Sequence, residues 1–431
     1  MTARPVIGYA GMTHLGLNSA VASAERGFSM VCFDPDAALA ARLAAGDLPV
    51  VEPDLPGLWA KNRERLTFTA DAAALAGCDV VYVAPDVPTD DAGGSDLAGL
   101  DRLIDAVDAA LRPDAVLVVL SQVPPGFTRA RLRPGRILYY QVETLIFGRA
   151  IERALHPERF IIGCADPAEP LPPAYRAYLE AFGCPLLPMR YESAELAKIS
   201  INCCLVASVS VANTLAELCE RIGADWSEIV PALKLDRRIG PHAYLAPGLG
   251  IAGGNLERDL ATILGFAERH GTDAGVVAAW EANSRHRKEW SHRTLKARLL
   301  DAHPRARIAV LGLAYKENTH SIKNSPAIAC LRRLEGANVA VFDPVVKGSV
   351  VPFAEEASGA LECARGADAL LILTPWPEFR TLEPAALAGV MAGRLIIDPY
   401  RCLPQAAAVA AGFDYITLGV PPIAARRDAR A

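Results

Sequence analysis

The fold is decided by the stretch Pro5-Val-Ile-Gly-Tyr-Ala-Gly-Met-Thr-His-Leu-Gly16, in which a short apolar segment runs into a turn bounded by glycines. Small residues as far as Gly27 then predict a helix, and a second apolar segment, Phe28 to Phe33, ends at Asp34. A strand, a glycine turn, a helix, a strand and an acid in this order form the dinucleotide-binding fingerprint. The acid lies about 20 residues past the turn, where it accepts hydrogen bonds from ribose hydroxyls and favours NAD over NADP.

The sequence therefore predicts NAD as the cofactor, bound by Gly11, Thr13, Gly16 and Asp34. One of these positions departs from the fingerprint. Thr13 stands where a second glycine normally lets the backbone approach the pyrophosphate, so its Cβ reduces the available room while its hydroxyl offers a donor to a phosphate. A strand–helix–strand unit without a cofactor is the alternative, and the register of strand, helix and Asp34 favours NAD.

Composition excludes several classes of function. The chain has 431 residues, enough for two or three domains, and 52% of them are hydrophobic. A formal net charge of −5 gives no broadly basic surface for nucleic acid. We find no signal peptide and no apolar run long enough to span a bilayer, and therefore expect a cytoplasmic protein with no membrane partner. Ten cysteines without a CxxC pair and eight scattered histidines predict reduced, mostly buried thiols and no metal site.

Unbroken apolar runs continue the pattern. Asp79 to Ala84 and Ala115 to Leu120 are typical of strands buried on both faces of a parallel sheet, with a helix from about Asp96 to Leu111 between them. The second run opens into the loop Ser121–Thr128, and loops at the carboxyl ends of such strands line the ligand crevice. Further strands complete a predicted NAD-binding Rossmann domain over residues 1–190: Arg136 to Tyr140 and Phe160 to Gly163.

The middle of the chain, residues 191–300, is predicted to be helical. Glu192 to Gly223 has helical spacing and is interrupted by neither glycine nor proline, a second helix starts near Trp226, and a third runs from about Leu256 to Arg269. Long apolar helices between two α/β domains often pair across a two-fold axis, so we expect a homodimer.

Residues 301–431 repeat the strand pattern in a second, smaller domain. Its predicted strands are Arg307 to Ala314, Asn338 to Phe342, Ala369 to Thr374 and Arg394 to Asp398. The predicted fold class is therefore α/β, with two Rossmann-like doubly wound domains joined by a long-helix central domain. One α/β domain is expected to hold NAD and the other a second nucleotide, in a cleft between them.

A second glycine loop carries the predicted chemistry. It reads Pro247-Gly-Leu-Gly-Ile-Ala-Gly-Gly-Asn-Leu-Glu-Arg-Asp-Leu260 and runs directly into a helix. Glycine lets the backbone approach a ligand closely, and the N-terminus of a helix presents free N–H groups to an anion or a polar ligand. A flexible turn between two helices is the alternative interpretation.

Taken together, these motifs resemble the UDP-glucose/GDP-mannose dehydrogenase family across nearly the whole chain. The matching stretches are Gly11–Gly16, Ser121–Gly126, Glu143–Gly148 with His156–Arg159, Glu195–Lys198 with Asn202, Asp236–Gly240, residues 247–260, Leu311–Lys316 with Thr319, and Asp368–Phe379. Members of this family oxidise the C6 alcohol of a nucleotide sugar to a carboxylate with two NAD. The resemblance implies a nucleotide-sugar substrate and a place in polysaccharide biosynthesis.

In the family, a cysteine thiolate captures the aldehyde formed by the first hydride transfer as a thiohemiacetal. The second transfer gives a thioester, which water hydrolyses. That cysteine lies four residues before an aspartate, which is Asp259 here, so the cysteine position is Asn255. An amide cannot carry out this covalent chemistry. Further departures from the family pattern are Thr13, Gln122, Phe147, Glu257 and Arg258.

Other family positions are kept, and the resemblance assigns them roles. Lys198 stabilises a developing oxyanion, Asn202 holds a water or a sugar oxygen, Asp259 orients the hydrolytic water and Glu143 is a candidate general base. With Asn255 these form the predicted catalytic set. Ser121 and Lys323 join the predicted cofactor site. The predicted substrate-binding residues are Arg238, Tyr244, Gly250, Gly253, Gly254 and Lys316. Arg401 lies one position away from an arginine that the family has late in its sequence.

The sequence therefore predicts an NAD-dependent nucleotide-sugar oxidoreductase, with uridine favoured as the base, that uses no thioester. Three outcomes stay open: release of the two-electron aldehyde, direct oxidation of the aldehyde hydrate with Glu143 or Asp259 as base, or return of the hydride by an epimerase with retained NAD. A paralogue that binds nucleotides and regulates an active partner is the alternative from another class. Cys203 and Cys204 are interpreted as buried structural cysteines rather than as a relocated nucleophile.

Overall fold

The computed structural model describes residues 4–90 and 93–425. The chain divides into two compact units, one reaching Ile201 and the other starting at Asn202. The division falls inside a 32-residue helix, Tyr191–Ile222. Each unit is built around its own sheet.

The first unit contains a sheet of eight strands in the order β3-β2-β1-β4-β5-β6-β7-β8. The strands are β1 Ile7–Ala10, β2 Met30–Phe33, β3 Leu66–Thr69, β4 Val80–Val83, β5 Val116–Val119, β6 Ile137–Gln141, β7 Phe160–Cys164 and β8 Leu186–Arg190. The helices are α1 His14–Glu25, α2 Ala37–Ala45, α3 Leu55–Lys61, α4 Ala98–Ala110, α5 Ala150–Leu155, α6 Pro173–Glu180 and the start of α7, Tyr191–Ile222. All neighbouring strands are parallel except β6 and β7, which are antiparallel.

The apolar runs of the sequence become the buried centre of this sheet. Every residue of β1, β4 and β5 is buried, as expected for strands covered by helices on both faces. The strands β3 and β8 were not predicted. Both lie at the edges of the sheet and are only partly buried, so their sequences mix polar and apolar residues and give no clear periodic signal.

The second unit contains a sheet of six strands in the order β11-β10-β9-β12-β13-β14, all parallel. The strands are β9 Arg307–Leu311, β10 Asn338–Phe342, β11 Glu355–Glu356, β12 Ala369–Ile372, β13 Leu395–Ile397 and β14 Asp414–Ile416. The helices that follow α7 are α8 Trp226–Leu235, α9 Asn255–His270, α10 Gly275–Lys288, α11 Trp290–Leu295, α12 Pro326–Arg332, α13 Ala360–Cys363, α14 Pro384–Val390 and α15 Gln405–Ala410.

The two sheets repeat one design. In each, the first six strands follow the order 3-2-1-4-5-6 that is typical of a Rossmann domain. The first strand of each ends at a glycine with positive φ, Gly11 at 90° and Gly312 at 94°. The second strand of each ends at an aspartate whose carboxylate accepts the N–H of the residue after that glycine. The predicted fold class, two Rossmann-like domains with a helical segment between them, is confirmed.

The three-part division at residues 190 and 300 stays a prediction, because the compact units number two. Part of the helical segment packs into the core of the second sheet, where Leu249, Trp290 and Leu295 are buried with the strands. The expectation that no apolar run is long enough to span a bilayer was wrong. Within the described chain, α7 is long and apolar enough to do so by length and composition. The stretch between its charged ends contains serines, asparagines and a threonine, so the sequence shows no unbroken apolar run there. Buried helices of folded proteins meet the same criteria, and 39% of its most apolar stretch is buried.

Candidate active site

The glycine turn of the first unit has the close packing that a dinucleotide site needs. A Cβ on Gly11 would lie 2.8 Å from the backbone nitrogen of Pro85, and a Cβ on Gly16 would lie 1.9 Å from the carbonyl oxygen of Gly11. Both positions therefore require glycine, one for the turn and one for the approach of helix α1 to strand β1.

Thr13 caps helix α1 with an extended backbone, φ −79° and ψ −167°. Its hydroxyl oxygen accepts the backbone N–H of Asp86 at 2.8 Å, which joins the turn to the loop after β4. The hydrogen of this hydroxyl is left for another acceptor, so a contact with a phosphate stays a prediction. The side chain that replaces the second glycine thus has a structural partner that the sequence did not reveal.

Asp34 lies at the end of β2, as the fingerprint requires, and is 8% exposed. Its carboxylate accepts the N–H of Met12 at 2.7 Å and that of Asp36 at 3.0 Å. These bonds hold the carboxylate at the carboxyl edge of the sheet. Each oxygen keeps a further lone pair for a ribose hydroxyl, so the residues present fit NAD.

Ser121 and the loop that it opens are fixed from two sides. The Ser121 side chain is buried and its hydroxyl donates to the carbonyl oxygen of Pro85 at 2.5 Å, so it links the loops after β4 and β5. The carboxylate of Glu195, on α7, accepts the N–H groups of Gly126 at 2.6 Å and Thr128 at 2.8 Å. Burial raises the pKa of Glu195. A contact of Ser121 with the cofactor stays a prediction, and the structure gives its side chain a positioning role.

The structure brings Lys198 and Glu143 together. The ammonium of Lys198 donates to the carbonyl oxygen of Glu143 at 3.1 Å and lies 3.7 Å from its carboxylate. The other carboxylate oxygen accepts the N–H of Leu145 at 2.9 Å. Both side chains are largely buried but reachable, with 14% and 19% of their surface exposed. In such a pair the carboxylate can accept the proton of an alcohol, and the cation can stabilise the alkoxide that forms.

A second carboxylate, that of Glu52, connects the loops at this edge of the first sheet and was not predicted from the sequence. Glu52 is 4% exposed and accepts Nε2 of His14 at 2.7 Å and the N–H groups of Gly148 at 2.7 Å and Ala150 at 3.2 Å. It therefore joins the first turn of α1 to the loop after β6. Phe147, which departs from the family pattern, stacks on His14 with ring centroids 4.1 Å apart. No local signal marks Glu52, because its partners are distant in sequence.

In the second unit, the loop 247–254 is a fixed structure rather than a flexible turn. Gly250, Gly253 and Gly254 have φ values of 86°, 89° and 93°, which residues other than glycine rarely adopt. A Cβ on Gly250 would lie 2.6 Å from the carbonyl oxygen of Ser284, and one on Gly253 would lie 2.7 Å from the ring of Tyr315. The loop is also hydrogen-bonded, because Ile251 N–H donates to the Ser284 hydroxyl at 2.9 Å.

Asn255 is exposed and is the first residue of α9, directly after this loop. One turn later, Asp259 is only 1% exposed. The side-chain amide of Asn202 donates to one carboxylate oxygen of Asp259, and Nε of Arg258 lies 3.4 Å from the other. Asn202, Arg258 and Asp259 therefore form one polar cluster, whose aspartate follows Asn255 by one turn of α9.

The remaining predicted residues of this unit divide into two groups. Lys323 lies against the glycine loop, since its carbonyl oxygen accepts the N–H of Gly253 at 3.1 Å, and the ammonium of Lys316 lies 5.8 Å from the ring centre of Tyr315. Arg238 is different: its side chain is 89% exposed and pairs with Asp236 at 2.6 Å. Tyr244 is 52% exposed. Contacts of Arg238 and Tyr244 with a substrate stay predictions.

The cysteines only partly follow the sequence prediction. All ten are free thiols, and seven of them are buried, as expected. The prediction that Cys203 and Cys204 are both buried was wrong, because Cys204 is exposed and Cys203 is half-buried. They follow each other on α7, so their side chains point to different sides of the helix. Burial and the charge of Asp259 raise the pKa of the Cys203 thiol to about 11, which disfavours a thiolate there.

The chain has two sheets of Rossmann order, one of them with a dinucleotide turn, and its similarity to known proteins makes it an NAD-dependent nucleotide-sugar oxidoreductase. The chain belongs to the UDP-glucose/GDP-mannose dehydrogenase family. The family's NAD binding domain matches residues 6–178, its central domain residues 192–285 and its UDP binding domain residues 309–405.

Relatives cover nearly the whole chain. It is 30% identical to the UDP-glucose 6-dehydrogenase TuaD of Bacillus subtilis, over 96% of this chain and 93% of that protein. It is 32% identical to a UDP-glucose 6-dehydrogenase of Rhizobium meliloti, over 95% and 98%. Among solved structures, a UDP-glucose dehydrogenase from Pyrobaculum islandicum superposes with a TM-score of 0.80 at 27% identity, covering 92% of this chain and 94% of that one. A UDP-D-ManNAc dehydrogenase from Pyrococcus horikoshii gives 0.83 at 25% identity, over 96% and 99%.

Proposed function

We propose that this protein oxidises the C6 alcohol of a UDP-sugar with NAD and releases the aldehyde, without forming a thioester. The observation that carries the proposal is Asn255. It is an exposed amide at the start of α9, held by a rigid glycine loop at the position that the family gives to its cysteine. Because an amide forms no covalent adduct with an aldehyde, the second oxidation lacks its usual route.

The roles of the other residues follow from their surroundings. When bound, NAD supplies the hydride acceptor. Glu143 is the proposed base for the C6 hydroxyl, and Lys198, which lies 3.7 Å from that carboxylate, stabilises the negative charge that develops on the sugar oxygen. Asp259 and Asn202 are hydrogen-bonded to each other, so we assign them to a sugar oxygen or a water beside Asn255.

A nucleophile relocated to Cys203 is disfavoured by the protonation of its thiol. Cys203 has a pKa of about 11, so it is a neutral thiol at physiological pH. Cys204 is exposed and lies one residue further along the helix. Two competing functions are instead compatible with an amide at residue 255. One is an epimerase that retains NAD and returns the hydride, and the other is a nucleotide-binding paralogue that regulates an active partner.

We also propose that the protein is a cytoplasmic homodimer. Four large apolar side chains on α7, spaced by four, three and four residues, are 40–64% exposed: Val211, Leu215, Leu218 and Ile222. This spacing places them on one face of the helix, where a second copy would cover them. Val211→Asp should then yield monomers in analytical ultracentrifugation, whereas an unchanged dimer would place the contact elsewhere.

The function is tested by incubating the protein with NAD and a panel of UDP-, GDP- and CDP-sugars. NADH absorbance reports hydride transfer, and mass spectrometry with NMR identifies the sugar product. NADH with an aldehyde supports the proposal, and NADH with a C6 acid contradicts it. A changed sugar without net NADH supports the epimerase, and binding without turnover supports the regulatory paralogue.

A further inference from the structure

We propose that Asp86 competes with the pyrophosphate of NAD for the N-terminus of helix α1 and thereby sets the affinity of the protein for its cofactor. The carboxylate of Asp86 accepts the backbone N–H of His14 at 3.0 Å. His14 is the first residue of α1. In a dinucleotide fold the pyrophosphate lies at this helix end, where free N–H groups and the helix dipole favour negative charge.

A second carboxylate increases the negative charge already present there. Asp34 accepts the N–H of Met12 at 2.7 Å, so two of the N–H groups at this turn donate to carboxylates. Asp34 is buried at the end of β2 and belongs to the fingerprint. Asp86 is instead exposed, and it follows β4 in a loop that opens to the same edge of the sheet. Of the two carboxylates, Asp86 is therefore the one that can turn away when a phosphate arrives.

Thr13 explains how the competing carboxylate is held in place. The Thr13 hydroxyl accepts the backbone N–H of Asp86 at 2.8 Å, so the main chain at residue 86 is tied to the helix cap while its carboxylate bonds to His14. Release of the carboxylate then requires a side-chain rotation and no movement of the loop. Thr13, the unusual residue of the glycine turn, therefore positions the carboxylate of Asp86 that competes with the pyrophosphate.

The groups around Asp86 predict how this competition depends on pH. Although the Asp86 residue is exposed, protein atoms surround its carboxylate, and this desolvation raises its pKa. His14 and Thr13 lower the pKa and the charge of Glu143 raises it, and the net shift is upward from 3.8. His14 is paired with Glu52, and Lys198 with Glu143. Protonation removes the charge that opposes the pyrophosphate, so NAD affinity should rise as the pH falls towards the pKa of Asp86.

The test is a calorimetric titration of the full-length protein with NAD alone, at constant ionic strength. Asp86→Asn and Asp86→Ala should bind NAD about fivefold more tightly or better, from the free energy of a charge at a helix N-terminus. Asp96→Asn removes the same charge from the same connection, where Asp96 caps the Ala98 N–H instead, and should leave the affinity unchanged. The rise in affinity at lower pH should be smaller in Asp86→Asn than in the unmodified protein.

Equal or weaker binding by both Asp86 variants would overturn the proposal, as would a gain of the same size in Asp96→Asn. If the unmodified protein binds NAD too weakly to measure, binding by Asp86→Asn supports the proposal, and binding by neither overturns it. No sugar is present in this titration. Its outcome is therefore independent of which reaction the enzyme catalyses.

Discussion

Replacing Gly253 with alanine tests whether the glycine loop is the rigid element that positions Asn255. Gly253 has a φ of 89°, and a Cβ there would lie 2.7 Å from the ring of Tyr315. The backbone conformation costs about 1–2 kcal/mol for a residue other than glycine, and the steric overlap adds about 1–2 kcal/mol, so we expect a loss of about 2–4 kcal/mol. For a unit of this size, that lowers the melting temperature by roughly 5–10 °C.

Gly265→Ala is the matched control. Gly265 lies inside α9, and no atom lies within 4 Å of a Cβ built there. The same change should therefore stabilise the unit by about 0.5–1 kcal/mol, because glycine is a poor helix former. Both variants are compared by urea unfolding and by hydrogen exchange of α9.

A third variant separates the two parts of the cost. Combining Gly253→Ala with Tyr315→Ala removes the overlap and keeps the unfavourable φ, so the double variant should lose less stability than the sum of the single changes. A coupling of about 1 kcal/mol is expected. If Gly253→Ala and Gly265→Ala have the same effect, the loop is mobile and our account of how Asn255 is positioned fails.

Three further predictions concern single side chains. Cys204 should react with a thiol reagent faster than Cys203, whose pKa of about 11 leaves little thiolate. Neither Cys→Ser variant should change the sugar product, and loss of a C6 acid in either variant would restore the relocated nucleophile. Lys198→Met should lower kcat by roughly 100-fold or more with little change in NAD affinity, since it acts on the developing oxyanion; an unchanged kcat would remove it from the catalytic set. Burial raises the pKa of Glu217, but His286 and Arg287 lower it by more and leave the pKa below 4.5. The Glu217 carboxylate therefore stabilises the fold at pH values above 4.5, and this stabilisation is lost as the pH falls through the lowered pKa. Glu217→Gln should therefore lower stability at pH 7 and have a smaller effect at about pH 3 in urea unfolding, and an equal effect at both values would contradict the ion-pair account.

Local patterns predicted the parts of the fold that depend on local sequence. The run from Pro5 to Asp34 contains strand, turn, helix and acid within about 30 residues, and the structure places each as expected. The same holds for the loop that leads to α9, where glycines mark the positive φ values. These features are set by backbone geometry, which individual residue types report directly.

Long-range contacts account for most of what the sequence could not predict. Glu52 reaches across to Gly148, Glu195 to Thr128 and Ser284 to Ile251, and each of these pairs is far apart in sequence. A glutamate or serine is the same residue type in the sequence whether its side chain is buried or exposed, so only the fold identifies its hydrogen-bond partner. The exposure of Cys204 was wrongly predicted for the same reason, since an apolar run does not reveal which face of a helix is covered.

The most direct test of the proposed release of the aldehyde is the ratio of NADH formed to sugar consumed, measured together with the identity of the product, for the unmodified protein and for Asn255→Cys. Our account predicts one NADH per sugar and a C6 aldehyde from the unmodified protein. It predicts a gain of C6 acid, with a second NADH, once the thiol is present. Two NADH per sugar and a C6 acid from the unmodified protein would contradict it.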